Sequence, residues 1–340
     1  MSGIFGSATK VFEKNSLEVT GSYVNVAPFY NLANTNFDFY KAPEGVSGSA
    51  RWVHKNGEKS IFKLLLSHGG FNSGTEIPDI NVVGERFRFG INNRNTYSNV
   101  SYLNNINSKL YSFSAFSFGN NIDDVNFGNV PSRTEEWRLQ GRTELGYEIN
   151  STLQVLSGLE IQRFSVSRSF DTFLSGFDET QVAAYTELEW KPTRKFGVKS
   201  GLRAENSQLL DQSSFAPRLS AAYKVGKKSQ VSVASGIFYQ NPNTRYFLAN
   251  QSAGFQQSIH YIANYQWISD KQTFRIEGYY KSYDQLVREL NVPFNPNPFR
   301  FISGEIDNSG NGFAQGVDVF WRDRKLIKSL DYWISYSWVN

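Results

Sequence analysis

The stretch Glu136-Trp-Arg-Leu-Gln-Gly-Arg-Thr-Glu-Leu-Gly-Tyr-Glu-Ile149 decides the fold class. Its odd-numbered positions are mostly apolar, whereas its even-numbered positions are mostly charged. Because side chains alternate between the two faces of a strand, this pattern predicts one β-strand with an apolar and a charged face. The run of about 14 residues is longer than the roughly 9–11 residues with which a tilted strand crosses a bilayer.

The same alternation recurs along the chain, for instance in 153–162, 274–281 and 332–338, and indicates about sixteen strands. Their connections alternate between short and long. Short connections are predicted near 13–15, 56–59, 104–107, 150, 192–195, 226–228, 269–271 and 324–329. Long connections are predicted near 27–45, 71–83, 121–132, 169–176, 207–213, 241–255 and 289–311. This alternation of short and long connections is typical of one all-β fold, the antiparallel up-and-down transmembrane β-barrel.

Composition agrees with a sheet that has one apolar face. Aromatic residues make up 16% of the chain, yet the mean hydropathy is −0.44. No stretch approaches the run of about 18–20 apolar residues that a membrane-spanning helix requires. The 35 basic and 31 acidic residues are scattered, so we expect no nucleic-acid partner. The absence of cysteine excludes disulfides and thiolate metal sites.

Four runs resemble the barrel of TonB-dependent receptors, especially those of Bacteroidetes-type bacteria. They are Phe215-Ala-Pro-Arg-Leu-Ser-Ala-Ala-Tyr-Lys224, His260-Tyr-Ile-Ala-Asn-Tyr265, Arg275-Ile-Glu-Gly-Tyr-Tyr-Lys-Ser-Tyr-Asp-Gln-Leu286 and Asn308-Ser-Gly-Asn-Gly-Phe-Ala-Gln-Gly-Val-Asp318. The first resembles a receptor strand with Pro and Arg at its entry. The last resembles the Gly-rich entry into a late barrel strand that ends in an acidic residue.

The resemblance implies a barrel of 22 strands around an N-terminal plug, with a short segment that contacts TonB. Residues 1–340 resemble a partial barrel domain, about 16 strands of a probable 22, without a recognisable plug or final strands. We therefore expect a receptor in the outer membrane of a Gram-negative bacterium. Its expected partners are outer-membrane lipid, the TonB complex through a plug, and a siderophore, glycan or peptide ligand, with a surface lipoprotein as a further candidate.

The long loops are candidates for ligand contact, because they place exposed rings beside cations or prolines. The candidate residues are Asn243, Arg245, Tyr246, Phe247, Phe294, Phe299 and Phe301. Packing of these rings over the end of the sheet is an alternative explanation. On the polar face, a second set is expected to line the wall, to pair across strands and to face a plug. This set is Arg138, Arg142, Arg203, Glu205, Arg275 and Glu277.

Other chemistries have weaker signals. His54, His68 and His260 lie far apart, so we expect no metal site and no cofactor. The acidic pairs Asp123-Asp124 and Asp178-Glu179 suit calcium, but solvated loop charge is the preferred interpretation.

Glu187 and Glu189 could form a glycosidase pair, but a polar wall explains both carboxylates, and we expect no enzyme. The alternatives to a receptor are a passive 16-stranded porin and a soluble β-rich binding protein. The porin predicts pairing between residues 3–12 and 332–340.

Overall fold

Sixteen strands hydrogen-bond in chain order, so the predicted number and the antiparallel up-and-down order are confirmed. The computed structural model describes residues 2–30, 32, 38–78, 84–249, 253–291, 302 and 305–340. Among these residues, no helix is long and apolar enough to cross a membrane.

The strands are long, and two short helices lie in connections between them. The strands are β1 (Ser2–Val11), β2 (Asn15–Asn25), β3 (Asp38–Asn56), β4 (Ser60–Pro78), β5 (Arg86–Asn105), β6 (Leu110–Phe127), β7 (Val130–Asn150), β8 (Leu153–Phe170), β9 (Phe173–Trp190), β10 (Phe196–Ser207), β11 (Gln212–Tyr223), β12 (Ser229–Gln240), β13 (Gln256–Ile268), β14 (Gln272–Glu289), β15 (Ile306–Asp323) and β16 (Tyr332–Val339). The helices are α1 (Ala27–Tyr30) and α2 (Thr244–Ala249).

The chain forms two compact units. The first unit contains residues 1–144 and 160–181, and the second contains residues 145–159 and 182–340. In the first unit, β1 to β6 pair in sequence, with Arg51 opposite both Glu18 and Leu65. In the second unit, β10 to β16 pair in sequence, with Arg275 opposite both Gln266 and Phe320. Paired residues share a face, so Trp52, which is opposite Leu17 and Leu64, lies on the apolar face of the first unit, whereas Arg275 and Gln266 lie on the polar face of the second.

Burial is reversed relative to a water-soluble sheet. In the second unit, the apolar-face residues Leu219 and Val233 are each 57% exposed. In the first unit, Glu144 and Glu179 are buried. A soluble protein rarely exposes a large continuous apolar surface, whereas a membrane barrel presents one to lipid. The apolar face therefore requires an apolar solvent, which disfavours the soluble alternative.

The short connections are confirmed, whereas two of the predicted long connections are wrong. Residues 121–132 and 169–176 were predicted as long loops, but β6 and β7 are joined by residues 128–129 alone, and β8 and β9 by residues 171–172. Gly128 turns the chain with φ of +61°, a conformation that glycine adopts without steric cost. Polar Asn and Asp residues gave these segments the composition of loops. In the structure they instead bond side chain to side chain along paired strands, as Asn93 Nδ2 does to Asp123 Oδ1 at 2.6 Å.

The turn between β15 and β16 is organised by Asp331. Its carboxylate accepts a hydrogen bond from Arg322 Nη2 at 2.7 Å and another from Arg324 Nε at 2.9 Å. The hydrogen bond from Arg322, together with that from Arg324, lowers the pKa of Asp331 from 3.8 to about 2. The ionised carboxylate thus holds two cations in one turn.

We expect Asp331→Asn to lower the melting temperature at neutral pH. A carboxyl whose pKa is lowered by folding stabilises the fold above its unfolded pKa near 4, and this contribution disappears as the pH falls toward about 2. The difference in melting temperature between wild type and variant should therefore shrink between pH 4 and pH 2. Glu58→Gln, in another short turn, is the control and should show no such pH-dependent difference. A difference that persists unchanged at pH 2 would contradict the role of Asp331.

Candidate functional site

The predicted wall residues include three Arg–Glu pairs on the polar faces. Arg142 contacts Glu144 in the first unit, a partner that the sequence analysis did not name. In the second unit, Arg203 Nη2 lies 2.6 Å from Glu205 Oε2, and Arg275 Nη2 lies 2.5 Å from Glu277 Oε2.

Each of these ion pairs joins residues two apart on one strand, whereas the sequence predicted pairing across strands. Such residues lie about 6.8 Å apart on the same face, a gap that an arginine side chain spans easily.

Two of the predicted wall residues also contact an amide and a ring on neighbouring strands. Asn264 Nδ2 donates to Glu277 Oε2 at 3.2 Å from the neighbouring strand. Arg138, the remaining predicted wall residue, stacks its guanidinium 4.6 Å from the centroid of the Phe164 ring. The position of the six residues on an inner wall and their contact with a plug stay predictions.

The loop between β12 and β13 contains four of the predicted ligand-contact residues. Asn243 caps α2, since its side-chain oxygen accepts from the backbone N–H of Arg245 at 3.1 Å. The Arg245 guanidinium lies 4.9 Å from the Tyr246 ring centroid, and its Nη2 donates to Tyr246 Oη at 3.0 Å. Phe247 is only 3% exposed, so it anchors the helix rather than offering a ring to a ligand.

The returning half of this loop is fixed to two strands. The backbone N–H of Gly254 donates to Asn308 Oδ1 at 2.7 Å, and that of Phe255 donates to Gln212 Oε1 at 3.1 Å. Ala253 and Phe255 are buried. Sequence analysis missed Gln212 and Asn308 as anchors, because single amides far apart in the chain carry no pattern. Phe294, Phe299 and Phe301 lie outside the described residues, so their role stays a prediction.

A second group of residues was not predicted from the sequence. We call it the cationic–aromatic patch, and it consists of Arg218, Phe238, His260 and Lys281. The Arg218 guanidinium lies 4.5 Å from the Phe238 ring centroid, and the Phe238 and His260 rings lie 4.6 Å apart. Lys281 is opposite His260 in the register of β13 and β14. A cavity of about 220 Å³ is lined by Arg218, Phe238 and His260.

Two cations of this patch form no ion pair in the described part of the chain. Neither Arg218 nor Lys281 forms an ion pair there, in contrast to Arg203 and Arg275. Lys281 Nζ instead lies 5.0 Å from the Tyr279 ring centroid. Unpaired cations beside aromatic rings can bind an anion that also offers a flat or apolar surface. The four residues come from four different strands, and only the register brings them together.

The other acidic candidates are arranged differently from a cation site. Asp123 and Asp124 lie on β6 rather than in a loop, and consecutive strand residues point to opposite faces. Accordingly, Asp123 accepts from Asn93, whereas Asp124 accepts from Arg94 and Arg133. Asp178 and Glu179 likewise follow one another on β9.

The possible glycosidase pair is engaged with lysines. Glu187 pairs with Lys199 at 2.6 Å, and Glu189 pairs with Lys191. These contacts support the interpretation of both carboxylates as wall residues. Within the described residues, no group of three or more His, Asp or Glu side chains could hold a metal ion.

Solved structures of outer-membrane receptors match nearly the whole chain. The siderophore receptor PirA from Pseudomonas aeruginosa matches 99% of this chain and 62% of its own, with a TM-score of 0.75 and 11% identity. The copper transporter OprC matches 99% and 60%, with a TM-score of 0.72 and 10% identity. The alcaligin outer-membrane receptor FauA from Bordetella pertussis matches 99% and 58%, with a TM-score of 0.72 and 10% identity. No protein-family model and no curated protein matches the sequence.

The chain therefore has the barrel fold of outer-membrane receptors, as the sequence predicted. The exposed apolar face of this fold suits a lipid bilayer. The matched proteins are called receptors and transporters. It spans less than two thirds of the length of the structures named above.

Proposed function

We propose that this chain is the barrel part of a TonB-dependent outer-membrane receptor that takes up a small anionic nutrient. The observation that carries the proposal is the match of 99% of the chain to a receptor barrel at a TM-score of 0.75. Energy supply by the TonB complex through a plug, a Bacteroidetes-type origin and a surface lipoprotein as partner belong to the same proposal. They rest on the resemblance of the four sequence runs.

The chemistry of the ligand is inferred from the cationic–aromatic patch. Arg218 and Lys281 supply positive charge, and Phe238 with His260 supplies a stacking surface. A carboxylate-bearing metal chelate, an acidic glycan and an acidic peptide all combine negative charge with such a surface. Two of the structures named above are called siderophore or alcaligin receptors, so a metal chelate is the first ligand to test.

The first experiment measures uptake by cells that produce the full-length protein. Ferric citrate, a neutral maltodextrin and an acidic peptide serve as labelled probes. A receptor should give saturable uptake of an anionic probe that stops when the proton gradient is dissipated. Linear uptake of all three probes, independent of the gradient, would overturn the proposal and favour the passive porin.

Removing both unpaired cations should weaken binding of the anionic probe. We expect Arg218→Gln with Lys281→Gln to raise its Kd at least about tenfold, because each charge-assisted contact contributes about 1.5–3 kcal/mol. The matched control, Arg218→Lys with Lys281→Arg, keeps both charges and should retain most of the affinity. Unchanged binding in the double Gln variant would show that the anion is recognised elsewhere.

A further inference from the structure

The short turns of the second unit carry an unusual excess of positive charge. These turns are 151–152, 191–195, 224–228, 269–271 and 324–331. They hold ten Lys or Arg residues and two Asp residues, a net charge of +8. The whole chain has a net charge of only +4. We call the ten residues the basic rim: Lys191, Arg194, Lys195, Lys224, Lys227, Lys228, Lys271, Arg324, Lys325 and Lys328.

Backbone hydrogen bonds join these turns into one continuous row. The N–H of Lys191 donates to the carbonyl of Thr152 at 2.7 Å, and that of Lys224 donates to Lys195 at 2.8 Å. Farther along, Ile268 donates to Lys228 at 2.8 Å, and Arg324 donates to Lys271 at 2.9 Å. Successive turns are separated by two strands, or about 10 Å. The basic rim is thus an extended line of charge rather than a single pocket.

Most of this charge is not neutralised within the protein. Lys191 pairs with Glu189, and Arg324 pairs with Asp331. Lys325 interacts electrostatically with Asp323, and the other seven form no ion pair in the described part of the chain. Asp270, the second acidic residue of these turns, lies beside Lys271 in sequence. An uncompensated row of this kind attracts a surface with many negative charges.

Aromatic side chains show at which depth of the membrane the row lies. Trp190 and Tyr223 are the last residues of β9 and β11, and they are 46% and 44% exposed. On the apolar face near the next turns, the Trp267 and Trp321 rings stack with centroids 6.4 Å apart. Trp and Tyr concentrate where hydrocarbon meets the headgroup layer. The turns follow these rings directly, so their cations lie at the level of the headgroups.

We propose that the basic rim binds the phosphate groups of anionic phospholipids in the leaflet that the short turns meet. The basic rim presents several lysines to neighbouring lipid headgroups at the depth where their phosphates lie. An acidic polypeptide would also be attracted by charge, but the aromatic residues give it no reason to bind at this depth. This lipid contact goes beyond the proposed function, because it requires neither an identified ligand nor energy from TonB.

The experiment compares which lipids remain bound to the full-length protein. The protein is inserted into vesicles of phosphatidylglycerol and phosphatidylcholine and repurified in neutral detergent, and the bound lipids are counted by mass spectrometry. Wild type should retain phosphatidylglycerol in excess over its share of the vesicle. Since one lysine near an anionic surface changes occupancy on the order of fivefold, Lys224→Gln, Lys227→Gln and Lys228→Gln together should reduce this excess at least fivefold.

The matched control replaces the same three lysines with arginine, which keeps the charge and should keep the excess. Heat-resistant migration on a gel shows that each variant is folded. Equal retention of both lipids by wild type, or an unchanged excess in the triple Gln variant, would overturn the proposal. So would displacement of the bound phosphatidylglycerol by inorganic phosphate or polyglutamate at equal charge, since the row would then bind anions irrespective of the membrane.

Discussion

Replacing Leu219 with arginine is expected to lower the free energy of unfolding by about 2–4 kcal/mol in a bilayer. Leu219 lies in the interior of β11 and is 57% exposed on the apolar face. A guanidinium there would have to leave water and enter hydrocarbon, which has no partner for it. Denaturant unfolding of the full-length protein in phospholipid vesicles measures the difference.

The neighbouring substitution Ser220→Arg is the matched control. Ser220 points to the polar face, where it is opposite Lys199 in the register of β10 and β11. The same side chain introduced one residue later should therefore cost less than about 1 kcal/mol, because water and carboxylates are within its reach. An equal decrease in the free energy of unfolding for both variants would mean that the two faces have been assigned wrongly.

Replacing Gly316 with alanine is expected to destabilise the protein by about 1–3 kcal/mol. An ideal Cβ at Gly316 would lie 2.5 Å from the backbone oxygen of Trp338 and 2.5 Å from Tyr279 Oη. The tyrosine could rotate away, but the Trp338 carbonyl belongs to the paired strand β16. The pairing of β15 with β16 would have to shift.

Gly278→Ala is the control for this prediction. Gly278 lies in β14, and an ideal Cβ there would meet nothing within 4 Å. We expect this variant to be as stable as wild type or slightly more stable, because alanine loses less backbone entropy than glycine on folding. Thermal unfolding of both variants tests the pair. A Gly316→Ala variant as stable as Gly278→Ala would show that the strand accommodates the methyl group without cost.

The fold could be predicted because alternation is a local signal. Trp137 and Arg138 already show that one face differs from the other, and the same contrast recurs in several other strands, such as 153–162 and 274–281. The ends of the strands were predicted less well. Asn121 and Asp123 look like loop residues, yet they belong to a strand because neighbouring amides and carboxylates satisfy their side chains.

The candidate site was only partly predictable, because strand register is not a local property. Arg245 and Tyr246 are adjacent in sequence, so their contact could be anticipated. Arg218, Phe238 and Lys281 come together because β11, β12, β13 and β14 pair in succession. None of these strand pairings can be recognised from the sequence of one strand alone. The direction of the ion pairs was missed because long arginine side chains reach along a strand as easily as across it.

The direction of these ion pairs, along one strand rather than between strands, also affects how such a sheet can evolve. Arg203 with Glu205, and Arg275 with Glu277, each balance their charge within one strand. A hairpin that contains such a strand carries its own counter-ion. Gene duplication, deletion or exchange of the hairpin would move each of these two carboxylates together with its arginine. We expect hairpins of this kind to be transferable between related sheets as self-contained building blocks.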